Sequence, residues 1–254
     1  MKSTKSRIYA LSENSLTLQL DPVISEKQIR FLYQLQSTIL KQKWPAVYEV
    51  LVTFYELSVF FDFNSIPYEE MEKKILDLYE EKQTNQEYET QGVNRFLLPV
   101  CYEEEFALDK DRLQNHTGLP FSEIVSLHHQ GNYLLYMIGF LPGFMYLGGL
   151  DERINCPRLE NPREKVSAGS VGIAGQQSGI YPMDSPGGWN IIGRTPLTLF
   201  DYEWSSRANT EDDYLTIHPL DQIRFIPVSK SGFEELQGMN ILEYQSILPG
   251  HHSI

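Results

Sequence analysis

The fold of this chain is decided by a glycine- and proline-rich stretch, 139–200, which contains GFLPGF (139–144), PRLENPRE (157–164), SAGSVGIAG (167–175), GIYP (179–182), SPGGWN (185–190) and GRTPLTLF (193–200). Glycine supplies positive φ and close backbone approach, whereas proline fixes φ at about −65°. Such residues at short intervals between apolar segments predict tightly turned β-structure.

Residues 93–254, which contain this stretch, form the predicted second domain. FLLPV (96–100) begins a strand, and residues 109–117 and 122–129 are predicted as two short helices. The remainder is predicted as strands and turns. Many short strands separated by glycine and proline are typical of a β-barrel or a sandwich.

Residues 1–92 form the predicted first domain, a small α+β domain. RIYALSENSLTLQL (7–20) predicts two strands around a turn, and residues 25–40 predict an amphipathic helix with Ser25 as N-cap. Two further strands and a second helix are predicted at 47–54, 57–62 and 67–82. The polar segment 80–92 is the predicted linker between the domains.

Composition and charge indicate an acidic globular protein. The chain has 254 residues, of which 41% are hydrophobic, and a formal net charge of −13. Nucleic acid and anionic membranes both require a basic surface, so we expect neither as a partner. The uncharged stretch 133–150 contains a proline and four glycines, which favours a buried strand and a tight turn over a membrane span. Two cysteines and no apolar leader predict a cytoplasmic protein.

Two Pro-Arg pairs are the strongest candidates for ligand binding. Arg158 and Arg163 follow prolines on predicted turns, where a guanidinium is a preorganised donor for a carboxylate or a phosphate. We therefore expect both arginines to flank one anion-binding cleft. The alternative is that they are ordinary surface arginines on extended loops.

Four further residues are candidates for lining that cleft. Gln176 and Gln177 offer uncharged donors and acceptors suited to an amide, although a polar hairpin tip would contain the same letters. Phe140 and Phe144 are candidate pocket walls, although tight packing explains them equally well. We take all four as substrate-binding candidates.

Motifs for a self-sufficient active site are absent from the sequence. SAGSVGIAGQQSG has neither the strand-to-helix context of a dinucleotide-binding loop nor the G-K-[ST] ending of a P-loop. No nucleophile elbow or zinc-ligand cluster occurs, and the adjacent His128 and His129 diverge too far to chelate a metal. We expect no metal or prosthetic group in this chain.

The motifs LHH, GFLPGFMYLGGL, CPRLENPRE, SAGSVGIAGQQSGIYP, SPGGWNIIGRT and LFD, in this order, carry a family resemblance. The chain resembles the family that contains the B component of 5-oxoprolinase, the sporulation-kinase inhibitor Kip and allophanate hydrolase subunit 1. That resemblance implies a cyclophilin-like β-barrel domain after the small α+β domain. It also makes His128, at the Leu-His position, a candidate catalytic acid or base.

The resemblance implies a subunit of an ATP-dependent hydrolase that opens 5-oxoproline to glutamate. The implied partners are a larger companion subunit of the allophanate hydrolase subunit 2 type and a third 5-oxoprolinase subunit, and the substrate is a small anionic amide. ATP is implied by the resemblance alone, for the complex. Because no complete site is visible, we expect the isolated chain to be inactive.

Two other functions are compatible with the same resemblance. One is inhibition of a sensor histidine kinase, for which an aromatic groove that binds a helical bundle would suffice. The other is a component of an allophanate hydrolase or a urea carboxylase, with a ureido substrate.

Overall fold

The computed structural model describes residues 6–84, 94–200 and 217–248, and the chain divides into two compact units, Met1–Gly92 and Val93–Ile254. The described part of unit 1 is an antiparallel sheet with two helices. Its elements are β1 (Arg7–Ser12), β2 (Ser15–Gln19), α1 (Glu26–Lys41), β3 (Val47–Val52), β4 (Glu56–Phe61) and α2 (Tyr68–Thr84). The strand order is β1-β2-β4-β3.

The first helix begins where its sequence signal places it. Ser25 has extended backbone angles and its side chain accepts a hydrogen bond from the Gln28 N–H, which satisfies one of the free donors of the first turn. One face of α1 and one face of the sheet share a core with α2. That core includes Leu18, Leu32, Leu35, Val59 and Ile75.

The second helix is longer than predicted. It continues to Thr84, so the first residues of the predicted linker 80–92 are helical, as expected for a run of good helix formers. The rest of that linker lies outside the described residues.

Unit 2 contains a closed barrel of seven strands in the order β10-β7-β6-β13-β5-β12-β9. The strands of this unit are β5 (Arg95–Cys101), β6 (Tyr133–Ile138), β7 (Met145–Gly148), β8 (Arg163–Val166), β9 (Ser170–Ala174), β10 (Gln177–Ile180), β11 (Ser185–Gly187), β12 (Asn190–Arg194) and β13 (Gln222–Val228). β5 and β13 pair in parallel, and the other barrel pairs are antiparallel. β8 and β11 form a separate two-stranded sheet.

The described helices of unit 2 are α3 (Lys110–Thr117), α4 (Phe121–Gln130), a short 3₁₀ helix (Glu152–Ile154), α5 (Lys230–Leu236) and α6 (Ile241–Ile247). The last two correct the expectation that the C-terminal part is only strands and turns. Ser229 caps α5, and Asn240 forms a capping box with Glu243 at the start of α6. Both helices therefore have local start signals.

The structure confirms the predicted fold class, an α+β domain followed by a β-barrel. The barrel interior is apolar and includes Leu98, Leu135, Leu147, Ile173 and Phe225. The uncharged stretch 133–150 forms β6, a tight turn and β7. Among the described residues, no helix is long and apolar enough to cross a membrane.

Candidate functional site

The candidate site is a groove in unit 2 that is lined by three segments. They are the turn between β6 and β7, the loop before β8, and the residues around β11. The lining consists of Phe140, Phe144, Tyr146, Arg158, Pro162, Tyr181, Pro186, Gly187, Gly188 and Trp189. Its volume is about 220 Å³. Because pockets for drug-sized ligands have roughly 300–1,000 Å³, this groove suits a small ring or a single side chain.

Phe144 lies at the centre of the aromatic wall. The side chain is buried, and its ring centroid lies 4.7 Å from that of Tyr146, 4.9 Å from that of Tyr181 and 5.5 Å from that of Trp189. Two of these pairs are edge-to-face, a favoured arrangement of aromatic rings. The wall is therefore a packed and rigid surface.

Phe140 stands at the rim of the groove in an unusual backbone conformation. Its φ is +69°, in the left-handed region, and the residue is 62% exposed. A non-glycine residue there is strained by about 1–2 kcal/mol. Its ring still packs edge-to-face on Phe144, with the centroids 5.6 Å apart. The tight turn therefore presents an exposed aromatic ring at the groove.

Tyr181 supplies a hydroxyl at the base of the groove. A Cβ at Gly187 would overlap this hydroxyl, so the close approach requires glycine. Burial raises the pKa of the Tyr181 hydroxyl, and the backbone N–H of Trp189 together with the charges of Arg158 and Arg163 partly opposes that rise. The hydroxyl therefore keeps its proton at neutral pH.

Arg158 is the charged residue of the groove lining. Its guanidinium carbon lies 5.6 Å from the centroid of the Trp189 ring, a cation–π contact. Among the described carboxylates, none forms an ion pair with it. The guanidinium is therefore available to an anion on an otherwise acidic protein.

Arg163 does not line the groove. Its Nη2 lies 2.6 Å from Oδ1 of Asp109, whose other carboxylate oxygen accepts a hydrogen bond from the Ile191 N–H at 2.6 Å. Asp109 is only 5% exposed and the Arg163 side chain 28%, so the carboxylate is buried and the guanidinium is partly buried. The structure corrects the expectation that both arginines line one cleft, because a buried carboxylate holds Arg163.

His128 lies inside the barrel and does not line the groove. The side chain is fully buried, with Nδ1 2.9 Å from the Tyr102 hydroxyl and Nε2 2.9 Å from Ser178 Oγ. Ser178 Oγ in turn donates to the carbonyl of Gly172, so it accepts from Nε2–H, and Tyr102 donates to Nδ1. Burial lowers the pKa of His128 to about 3. This position suits a neutral structural residue and is separate from the groove lining, so a catalytic acid or base at His128, as predicted, would not act in this groove.

The two glutamines also lie apart from the groove lining. Gln176 is exposed in the turn between β9 and β10, whereas Gln177 is buried in β10. The Nε2 of Gln177 has no hydrogen-bond partner among the described residues. Of the predicted site residues, the structure brings together Arg158, Phe140 and Phe144 and places the other four elsewhere.

Several groove residues were not predicted to bind a ligand. Tyr146, Pro162, Tyr181 and Trp189 line the groove but are not among the candidates that the sequence provides. The motifs GIYP and SPGGWN, quoted for their turns, contain most of the missed residues. Among the described residues, no cluster of three or more His, Cys, Asp or Glu side chains could hold a metal ion.

Comparison with known sequences identifies relatives along nearly the whole chain. The family profile of the carboxyltransferase domain, subdomain C and D, matches residues 6–209. A Bacillus subtilis protein, named as a 5-oxoprolinase subunit (the B component), is 32% identical over 239 residues, which cover 91% of this chain and 96% of the relative. The protein of the same name from Haemophilus influenzae is 37% identical over 195 residues, covering 76% and 88%. These relatives confirm the resemblance seen in the sequence.

A solved structure shares the fold. The Kluyveromyces lactis urea carboxylase superposes with a TM-score of 0.75 over 92% of this chain and 23% of that chain, at 17% identity. At this identity the likeness concerns the fold alone.

Proposed function

Because the chain belongs to the family of the carboxyltransferase domain, subdomain C and D, we propose that it is one subunit of a hydrolase complex that opens 5-oxoproline. A relative that is named as a 5-oxoprolinase subunit matches it almost end to end. A protein named as a subunit works with other chains. The proposed functional unit is therefore the complex, with a larger companion subunit and a third subunit as the partners.

One observation supports an active site shared between subunits most strongly. Within the described part of the chain, the groove has groups that can bind a ligand but no group that could act as a general base or nucleophile. Among the lining residues that the structure describes, there is no carboxylate, histidine or thiol. What they offer is one guanidinium, aromatic walls and two tyrosines, Tyr146 and Tyr181. These are the groups of a binding site, and a partner subunit would have to supply a nucleophile or base.

The groove chemistry fits a small ring that carries a carboxylate. The Arg158 guanidinium would pair with the carboxylate through charge-assisted hydrogen bonds, and Phe140 and Trp189 would contact the faces of the ring. The Tyr181 hydroxyl would donate to the lactam carbonyl. Net hydrolysis then adds the water oxygen to the carbonyl carbon, breaks the C–N bond and leaves both water protons on nitrogen as an ammonium group, while ATP becomes ADP and phosphate.

ATP fits this groove poorly. A triphosphate requires several cationic or backbone donors, but the groove has one guanidinium and a volume of about 220 Å³. We therefore assign nucleotide binding to the partner subunits. In this proposal, this chain binds and orients the substrate.

Reconstitution tests this proposal. The purified chain and its companion subunits are assayed separately and mixed, with 5-oxoproline and ATP, and glutamate and ADP are measured. We expect no turnover by the chain alone and ATP-dependent glutamate formation by the mixture. Omission of this chain from the mixture should abolish turnover.

The same assay separates the other two functions. Turnover of allophanate or urea, with none of 5-oxoproline, would replace the lactam by a ureido substrate. Inhibition of a histidine kinase by the chain, without turnover of any amide by the mixture, would show a regulator instead. Full turnover by the isolated chain would refute the divided active site.

A further inference from the structure

The loop that carries Arg158 is hydrogen-bonded to neighbouring parts of the chain at four consecutive residues. We call residues 156–163 the arginine segment. Its first four residues each make a hydrogen bond through the main chain. Three carbonyls accept: Cys156 O accepts from Gly175 N at 2.7 Å, Pro157 O accepts from Asn190 Nδ2 at 2.9 Å, and Arg158 O accepts from Arg112 Nη2 at 3.5 Å. The Leu159 N–H donates to Gly188 O at 2.8 Å. A loop held in this way has few alternative conformations.

Asn190 is the central residue of these contacts. It is fully buried, and its Nδ2 donates both to Pro157 O and to Ile173 O, at 2.9 and 3.0 Å. Its Oδ1 accepts from Arg112 Nε at 2.8 Å. A side-chain amide is suited to this place, since it has two donors and an acceptor in one plane. The chain therefore uses Asn190 to fix the start of the arginine segment to the barrel.

Asp109 fixes the other end of the segment. It accepts from Arg163 through one oxygen and from the Ile191 N–H through the other, so the buried charge is both paired and hydrogen-bonded. The second terminal nitrogen of Arg163, Nη1, is also buried, and it has no hydrogen-bond partner among the described residues. The Arg163 guanidinium thus contacts the protein interior, not the groove lining.

We infer that Asn190 and Asp109 are positioning residues that immobilise the arginine segment, so that Arg158 alone presents its charge to an anionic ligand while Arg163 is an anchor. The statement about the ligand rests on the proposed function. The statement about the segment does not. A loop that is already ordered before binding favours affinity, because no further conformational entropy of the loop is lost when the ligand binds.

Hydrogen exchange on the full chain, without ligand, tests the positioning. The reporter is the amide of Leu159, which lies in the arginine segment and donates a hydrogen bond to Gly188 O outside it. Asn190→Asp replaces both donors by an acceptor, and Arg163→Gln removes the ion pair. We expect exchange of the Leu159 amide to accelerate about tenfold or more in each variant, as for opening of a locally stabilised unit.

A matched control comes from a second Arg–Asp pair. Arg153 and Asp151 are 2.7 Å apart, but Arg153 is largely exposed and lies outside the segment. Arg153→Gln should leave Leu159 exchange unchanged. Should Asn190→Asp fail to fold, Arg112→Gln removes contacts to both Asn190 and Arg158 from an exposed side chain. Wild-type exchange at Leu159 in Arg112→Gln and Arg163→Gln would overturn the inference.

A double-mutant cycle in the reconstituted complex tests whether Arg158 contacts the ligand and Arg163 acts only by positioning it. Arg163→Gln should raise the KM for 5-oxoproline about tenfold in the wild-type background, yet add almost nothing in an Arg158→Ala background, because Arg163 acts through Arg158. An equal factor in both backgrounds would show that Arg163 contacts the ligand itself. If the complex does not turn over 5-oxoproline, the proposed function fails, and the exchange measurement still decides the positioning.

Discussion

At the scale of single residues, His128 shows how burial determines a histidine's role. Burial, and to a smaller extent the charge of nearby His129, lowers its pKa from 6.5 to about 3. Between these values the unfolded chain binds a proton that the folded chain does not, so stability is full above pH 6.5 and decreases as the pH falls towards 3. The decrease due to this residue should approach about 1.4 kcal/mol per pH unit.

The variant His128→Gln isolates this effect, because other titrating groups are shared with the wild type. Chemical denaturation at pH 4 to 7 gives the difference in unfolding free energy between the two proteins. We expect the wild type to lose its advantage over the variant as the pH falls. A difference independent of pH would exclude a neutral buried His128.

The two arginines illustrate what a sequence can predict about a site. Both follow proline, and the local pattern is the same for both. Their different positions arise because Asp109, which is 54 residues before Arg163, lies beside it in the fold. The exposed turn position of Arg158 could be predicted from residue type and context, whereas the ion pair of Arg163 depends on a tertiary contact with no local signal.

At the scale of elements, the turn between β6 and β7 holds Phe140 in a strained conformation. Glycine adopts positive φ freely, so Phe140→Gly should be more stable than Phe140→Ala by about 1 kcal/mol, the reverse of the usual order of these residues. Denaturant titration of both variants measures this difference. Both should also raise the KM for 5-oxoproline, since both remove the exposed ring. Equal or greater stability of Phe140→Ala would contradict the assigned strain.

Elements with strong local signals were predicted well. Helical spacing and the Ser25 cap placed α1 within one residue of its observed ends. In contrast, the sequence analysis predicts strands and turns where the structure has the two short helices α5 and α6. Their cap residues are a local signal that the prediction did not use. The parallel pairing of β5 with β13 joins residues far apart in sequence, and no local pattern specifies such a pair.

At the scale of the whole molecule, the barrel brings the parts of the groove together. The turn between β6 and β7, the start of β7, the arginine segment and the residues around β11 lie around one space. Sequence motifs in a fixed order predicted the fold class and the family. They could not predict which motif residues line the groove, because that depends on which way each side chain leaves its strand or turn.

The most direct test of the account is the effect of Arg158 substitutions on the reconstituted complex. Arg158→Ala should raise the KM for 5-oxoproline roughly ten- to hundredfold, which corresponds to about 1.5–3 kcal/mol for a charge-assisted contact. Arg158→Lys should recover only part of the loss, because lysine lacks the planar fork. The thermal midpoint of the chain should not change, since the side chain is exposed. Wild-type KM values in both variants would contradict a substrate site in this groove.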